Sequence, residues 1–300
     1  MINYLLFLII PPVIIYYSSI TKNSFFYWIL TFSFLLFLST FRDQIGSDQG
    51  DYQITFMKSY FINDNKIIQN YEFIYSLIEF FSSKMKLGFH GVNMICSSIY
   101  LIGLILLIKD ENRSWLCLFI SLPYFYFAVS WGFLRQGLSL GFIFMTIYFF
   151  RQNKLIFVMI FSVLAFLSHK FAIIFFPVLF LSYFNNYLIK LLTILAGALI
   201  AIFIVYYSIY INSTYIEQFV TNIPEEYDSK GTYLRSIMSL IPSLLFLLKK
   251  NQMKKYDDYK LYFYISLISI ALFFLNFFFP IPIMRIGVFF GFLQFIIFPR

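Results

Sequence analysis

Charge is scarce in this sequence: 12% of its 300 residues are Asp, Glu, Lys or Arg, where a soluble domain carries about 25%. A soluble fold needs a charged surface, so the shortage excludes one. A hydrophobic share of 61% and an aromatic share of 23% stand in its place. Cysteine and histidine are rarer still, with two of each. Cys96 and Cys117 fall inside apolar runs, which argues against a disulfide framework or a thiolate metal site and leaves packing as their role. His90 and His169 are too far apart in sequence for metal-ligand spacing. Also missing is a cleavable leader: no basic residue precedes the first apolar run at Ile2 and no small-residue cleavage pattern follows it. That run is therefore expected to stay as the first span.

What is present is one apolar run after another, separated by short polar breaks. The runs are continuous rather than alternating, which points to helices instead of a transmembrane barrel, since only these two structures satisfy the backbone inside lipid. Hydropathy read against the breaks places spans at 2–20, 24–40, 89–108, 114–131, 134–150, 155–168, 171–186, 189–210, 232–248, 261–279 and 283–298. The expected fold is all-α, a polytopic transmembrane bundle of about eleven spans, with nine to thirteen as the range. Breaks as short as Arg151 to Lys154, or the pair His169 and Lys170, force neighbouring helices into antiparallel hairpins. Residues 1–300 read as one membrane domain with two long loops, 41–88 and 211–231.

The formal net charge is +8. In a soluble protein that excess would suggest nucleic acid, but in a helix bundle it orients loops, and no nucleic-acid partner is expected. Numbering the loops alternately puts twelve of the 22 basic residues with only four of the 14 acidic ones; the other set has ten of each. The first set, which includes Lys109, Arg113, Arg151, Lys154, Lys249, Lys250 and Arg300, is cytoplasmic by the positive-inside rule. The N-terminus is then outside and the C-terminus inside. The lysines from Lys249 to Lys260 face anionic lipid headgroups and receive no catalytic role.

With this orientation the reactive side chains gather on the outer face. The segment after Phe41 reads Arg42-Asp43-Gln44-Ile45-Gly46-Ser47-Asp48-Gln49-Gly50-Asp51-Tyr52. Arginine there can grip phosphate with two parallel hydrogen bonds and a carboxylate can act as a base; the plainer reading is a solvated loop with self-paired charges. Glu72, Ser76, Glu79, Ser83 and Lys86 follow a 4-3-4-3 spacing, which predicts an amphipathic helix lying flat in the outer interface or tucked into the bundle mouth as a lid. Arg135 and Arg285 start spans with apolar residues on both sides, so each either snorkels to the interface or faces a hydrated cavity. Together with Arg42 they form three cations at similar depth, suited to one anionic ligand. His169, in a two-residue turn, can donate to a phosphate or relay a proton, or be structural. His90 is assigned to the interface without function. Tyr215, Glu217, Glu225, Glu226, Tyr227 and Asp228 in the second long loop suit sugar binding, although tyrosine is also the ordinary interfacial residue.

These residues resemble the EpsG-type and Wzy-type polymerases of bacterial exopolysaccharide, capsule and O-antigen. Arg42, Gly46, Asp48 and Tyr52 look like the group's Arg-x3-Gly-x-Asp-x3-Tyr pattern, and Glu72 with Tyr75 looks like the acidic and aromatic element that follows it. Arg135-Gln136-Gly137 is similar to its Arg-Gln-small motif, and His169 to its histidine after the next hairpin. Arg285 fits a weaker late arginine. The pattern departs at Ser47, where the group often has threonine, and the chain stops soon after its last span, where relatives usually continue.

The resemblance implies a metal-independent glycosyltransferase of the bacterial inner (cytoplasmic) membrane. Such an enzyme would join undecaprenyl-pyrophosphate-linked oligosaccharide repeat units on the outer face. Asp48 and His169 are then the catalytic candidates, with Asp48 as the leading base and Asp43, Asp51 and Glu72 as rivals. Arg42, Arg135, Arg285, Tyr52, Glu72 and Gln136 are the substrate-binding candidates. No cofactor is implied, because arginines can supply the positive charge; a metal held by Asp48 and Asp51 is the variant. Partners would be the lipid-linked glycan, membrane lipid, and a chain-length regulator and flippase of the same pathway. The alternative activity is a flippase or transporter of the lipid-linked oligosaccharide, which should show internal repeats and broken helices near the midplane.

Overall fold

The computed structural model describes residues 2–20, 24–42, 48–61, 72–184, 186, 197, 229–277 and 280–300. Within them the chain is helical, with no strand. The helices are α1 Ile2–Ile20, α2 Ser24–Thr40, α3 Gln49–Phe61, α4 Phe73–Lys84, α5 Gly88–Ile108, α6 Ser114–Ser121, α7 Leu134–Arg151, α8 Leu155–Ser168, α9 Phe175–Tyr183, α10 Ser229–Leu248, α11 Lys250–Met253, α12 Tyr259–Leu275, α13 Pro280–Gly287 and α14 Leu293–Ile297. They fall into two compact units, residues 1–172 with 298–300 and residues 173–297.

Helix occurs at every expected span except 189–210, which lies outside the described residues apart from Gly197. Among the described residues, Gly88–Ile108 is long and apolar enough to cross a bilayer, and seven shorter apolar helical segments accompany it. The described residues are thus helical as expected, one helix has the length and apolarity of a span, and the count of about eleven spans stays an expectation.

Three expected spans are not continuous α-helices. The 114–131 segment changes at Leu122 to a π-helix that runs to Ser130. Pro123 lies at its start, where a missing N–H and a ring that crowds the preceding turn disfavour the α ladder. The 171–186 span begins as a 3-10 turn, Lys170–Ile174, before α9. The 283–298 span is divided into α13 and α14, with tight turns between them. Its bonds shorten to Phe289 N–H to Ile286 O at 3.0 Å and Phe290 N–H to Gly287 O at 3.1 Å.

In the first unit α7 is the central helix, packed along α5 and α8 and buried over most of its length. Its contact with α5 is backbone to backbone. A Cβ on Gly103 would come within 2.2 Å of Gly141 O, and one on Gly141 within 2.7 Å of Tyr100 Cα.

Helix α4 forms where the 4-3-4-3 spacing predicts, with its polar stripe turned inward. Tyr75, Ser76, Glu79 and Ser82 are buried, while Phe73, Leu77, Phe81 and the following Met85 are exposed. Water would favour the reverse arrangement; lipid outside and polar groups inside favour this one. Of the two placements left open, α4 takes the packed one, against α3, α5 and α8.

In the second unit α10 packs on α12, α13 and α14. The centre is aromatic: Phe292 touches Phe175, Tyr262 and Phe295 at ring distances of 6.1–6.4 Å.

Candidate functional site

Glu72 is the hub of the first unit's polar cluster. It immediately precedes α4, with φ −121° and ψ 70°, and its side chain does not cap that helix. The carboxylate is thereby available to partners distant in sequence. Its Oε2 accepts from Arg135 Nη1 at 2.7 Å, and its Oε1 meets His169 Nδ1 at 2.6 Å. Burial raises the Glu72 pKa, but the His169 hydrogen bond and the Arg135 charge outweigh it and hold the carboxyl below its usual range. The ionised carboxylate then accepts the Nδ1–H of His169, which fixes the ring.

His169 ends α8, where the backbone turns extended and the His169 N–H still closes on Ala165 O at 3.0 Å. The ring is buried, at 8% exposure. Gln136 Nε2 lies 3.4 Å from His169 Nε2 and points a donor at it.

Arg135 and Gln136 open α7 just after the π-helix and Trp131. The small residue that follows them has a steric reason: a Cβ on Gly137 would meet Ser130 Cα at 2.9 Å. The Arg135 guanidinium sits over two tyrosine rings, Tyr52 of α3 at 5.1 Å and Tyr75 of α4 at 5.0 Å. Such contacts hold a guanidinium in place without consuming its hydrogen-bond donors. Its Nε has no hydrogen-bond partner among the described residues.

Arg42 leaves the end of α2 and is 3% exposed. It lies 5.4 Å from the Trp131 ring centroid, and its Nη2 donates to Asn93 Oδ1 at 3.2 Å. Trp131 is fixed in turn, donating from Nε1 to Ser39 Oγ at 2.9 Å, while Tyr126 in the π-helix donates to Leu35 O. Arg42 Nε and Nη1 are buried with no partner among the described residues. Burial pushes its pKa down, to about 10, so the guanidinium is still charged at neutral pH. Arg42 and Arg135 share an electrostatic neighbour, the Tyr75 hydroxyl.

The structure thus brings together Glu72, Arg135, His169, Gln136 and Tyr52, with Arg42 adjoining through Tyr75. Asp48 is placed beside the cluster. It is half-buried one turn before Tyr52, whose N–H bonds to Asp48 O at 3.1 Å, and its carboxylate makes no ion pair among the described residues. Arg285 belongs to the second unit, in α13, and is exposed. Asp43 and Gly46, and the loop 211–231 except its last residues, lie outside the described residues. His90 Nδ1 lies 2.9 Å from Thr40 O and ties the start of α5 to the end of α2. Cys96 and Cys117 are free and buried. Among the described residues no three His, Cys, Asp or Glu side chains group as metal ligands.

Sequence reading underweighted three residues. Trp131 and Asn93, which seat Arg42, carry no motif. Tyr75 was seen only as Glu72's aromatic companion, although its place one turn into α4, on the buried stripe, marks it.

No curated protein and no solved structure matches the chain. The EpsG family profile matches residues 25–300, which includes every residue of the cluster just described. From that match across nearly the whole sequence, the chain belongs to the EpsG family, a membrane protein family of the EpsG and Wzy type concerned with polysaccharide polymerisation.

Proposed function

We propose that the protein is the polymerase that joins undecaprenyl-pyrophosphate-linked oligosaccharide repeat units on the outer face of the bacterial cytoplasmic membrane. The observation that carries this reading is the junction at Glu72, where one carboxylate holds an arginine at 2.7 Å and a histidine at 2.6 Å. On this reading the histidine is the base and the arginine beside it the cation that binds phosphate. Membership of the EpsG family, which is concerned with polysaccharide polymerisation, supports it.

In the proposed step an acceptor sugar hydroxyl loses its proton to His169 Nε2 while its oxygen forms a bond to the anomeric carbon of the donor. The bond from that carbon to the diphosphate oxygen breaks, and the diphosphate leaves with the electron pair. Glu72 keeps the imidazole oriented and stabilises the imidazolium that forms. Arg42 and Arg135 neutralise the charge growing on the leaving diphosphate. This reading gives the base role to His169 in preference to Asp48, because His169 is joined to an orienting carboxylate and Asp48 is not. Asp48 and Arg285 become secondary candidates for contacts to the saccharide or lipid headgroup. The reading assumes that the Arg135 end of α7 faces outward. A flippase and a chain-length regulator would be the partners in the pathway.

The test is surface glycan on a gel from cells carrying His169→Ala or Arg135→Ala. The expected pattern is single capped repeats in place of a ladder, with the variants present in the membrane. A persistent ladder would overturn the site, and loss of single repeats from the outer face would favour the flippase reading. A reporter fused after Lys250 tests orientation; its appearance outside the cell would reverse the assignment of faces.

A further inference from the structure

The step described above does not use Glu79, a buried acid beside the cluster. Glu79 lies on the inward stripe of α4, two turns after Glu72, and is 3% exposed. Its Oε1 has no hydrogen-bond partner and it makes no ion pair among the described residues. Arg135, the cation whose charge acts on it, already gives its salt bridge to Glu72. An unpaired carboxylate that deeply buried is costly, and the carboxyl avoids the cost by keeping its proton.

The groups around Glu79 are few. Its own helix contributes Tyr75 and Glu72, and α7 contributes Arg135. Cys96 faces it from α5. Tyr52 of α3 packs on Tyr75 at 5.7 Å, and α8 has no titratable side chain within its helical span. Burial pushes the Glu79 carboxyl up to about 7, against the opposing pull of Arg135 and of the Tyr75 hydroxyl. The two acids on one helix face therefore part: Glu72 is ionised at neutrality, whereas Glu79 keeps its proton up to about pH 7. Such a split marks different duties in one site.

The neighbours of Glu79 suggest its duty. Arg42 has the same two neighbours, Tyr75 and Cys96. Among the described residues its Nε and Nη1 lack acceptors, and so does Asn93 Nδ2, the donor left once Asn93 Oδ1 accepts from Arg42. Buried donors without acceptors are rare in native proteins, and several beside the same two side chains suit an anionic ligand. A protonated carboxyl adds a further donor, whereas an ionised one would repel an anion.

We propose that Glu79, as the uncharged acid, joins Arg42 and Asn93 in a subsite for the lipid-linked diphosphate and donates a hydrogen bond to one of its phosphate oxygens. The inference rests on the function proposed above and adds to it a binding residue whose ionisation expels the ligand. Binding should therefore weaken as pH rises through the range in which Glu79 loses its proton.

The test uses the purified full chain in detergent with Trp28 and Trp115 replaced by phenylalanine, so that Trp131, beneath Arg42, reports binding by fluorescence. The probe is farnesyl diphosphate, titrated from pH 6 to pH 8.5. The unaltered Glu79 protein is expected to lose about tenfold in affinity across that range. Glu79→Gln keeps a donor that cannot ionise, and its affinity should not show that fall. Glu79→Leu, similar in size and apolar, should bind weakly at every pH, and thermal unfolding checks that both variants are folded. The ligand's own titration is common to all three proteins. An equal alkaline fall in the Gln variant, or affinity in the Leu variant equal to that with Glu79, would overturn the subsite while leaving the polymerase reading intact. No binding to any of the proteins at any pH would overturn both.

Discussion

The two ends of α7 make the same connection and leave different residues. At one end Glu72 takes Arg135 and His169; at the other Glu111 takes Arg151 Nη2 at 2.9 Å and Arg300 Nη2 at 2.6 Å. Arg135 and Arg151 are about 24 Å apart along the helix at its ordinary rise, so one rigid element carries both. At the Glu111 end the donors are used: Arg151 Nη1 also reaches Leu107 O, and Arg300 Nε a second Glu111 oxygen. At the Glu72 end, buried polar atoms of Arg42, Arg135, Tyr75, Glu79 and Asn93 have no hydrogen-bond partner among the described residues. A satisfied junction is a clamp. A junction surrounded by unsatisfied donors has capacity for a ligand, and that difference, more than the count of charges, separates structure from site.

The sharpest way to break the comparison is to remove one partner at each end. His169→Ala should lower polymerisation by about 100- to 10,000-fold, the range for loss of a positioned base, with unfolding temperature little changed. If the loss were under tenfold, His169 would not be the base. Glu111→Ala should do the opposite. It leaves two arginines uncompensated, at a cost of about 3 kcal/mol in stability, while the ladder made per folded molecule stays the same. A Glu111 variant that folded normally and made no ladder would erase the distinction between the two ends.

Sequence and structure part company at the site more than in the fold. Hydropathy locates the helices because each must turn apolar surface to lipid or to a neighbour, and that signal is local. The π-helix at Leu122–Ser130 escapes it, since its hydropathy is that of any span and only Pro123 marks the irregularity. The motif residues Arg42, Tyr52, Glu72, Arg135, Gln136 and His169 are legible through the resemblance, whereas their partnerships are not. Glu72 and His169 are 97 residues apart, and nothing local says that an acid before one helix meets a histidine after another. Asp48 stands out in the sequence because it sits in a motif, whereas the carboxylate that meets His169 is that of Glu72. The inward turn of α4 is also invisible from spacing, because an amphipathic period does not say which side faces the solvent and which the bundle.

Geometry between the two ends offers a finer cut. Gly137 follows Arg135 and Gln136 and lets the first turn of α7 lie against Ser130. Gly137→Ala should push that turn away by a few tenths of an ångström and cost about tenfold in polymerisation, since small misplacements of reacting groups are expensive. Gly50, where a Cβ would meet nothing within 4 Å, is the control: Gly50→Ala should leave the ladder as it is. Equal losses at both positions would mean that helix flexibility, rather than the seating of Arg135, is what matters.

The smallest expected effect separates the two acids of α4 by pH. Glu79 has a folded-state pKa of about 7 against an ordinary 4.5, so the folded chain binds its proton more tightly than the unfolded chain does. The stability it contributes is complete below about 4.5 and is lost as pH rises through about 7. Glu72 runs the other way. Its folded pKa is lowered, so its contribution is present above the ordinary carboxylate range and is lost as pH falls through its folded pKa. Glu79→Gln should therefore gain on the parent chain between pH 6 and pH 8.5, by about 1 kcal/mol once partial solvent access is allowed for, read as a rise in unfolding temperature at the alkaline end. Glu72→Gln should show no such alkaline gain and should instead flatten the acid limb. If the two variants moved in the same direction with pH, the acids would share one environment, and the division between an ionised hub and a protonated donor would fail.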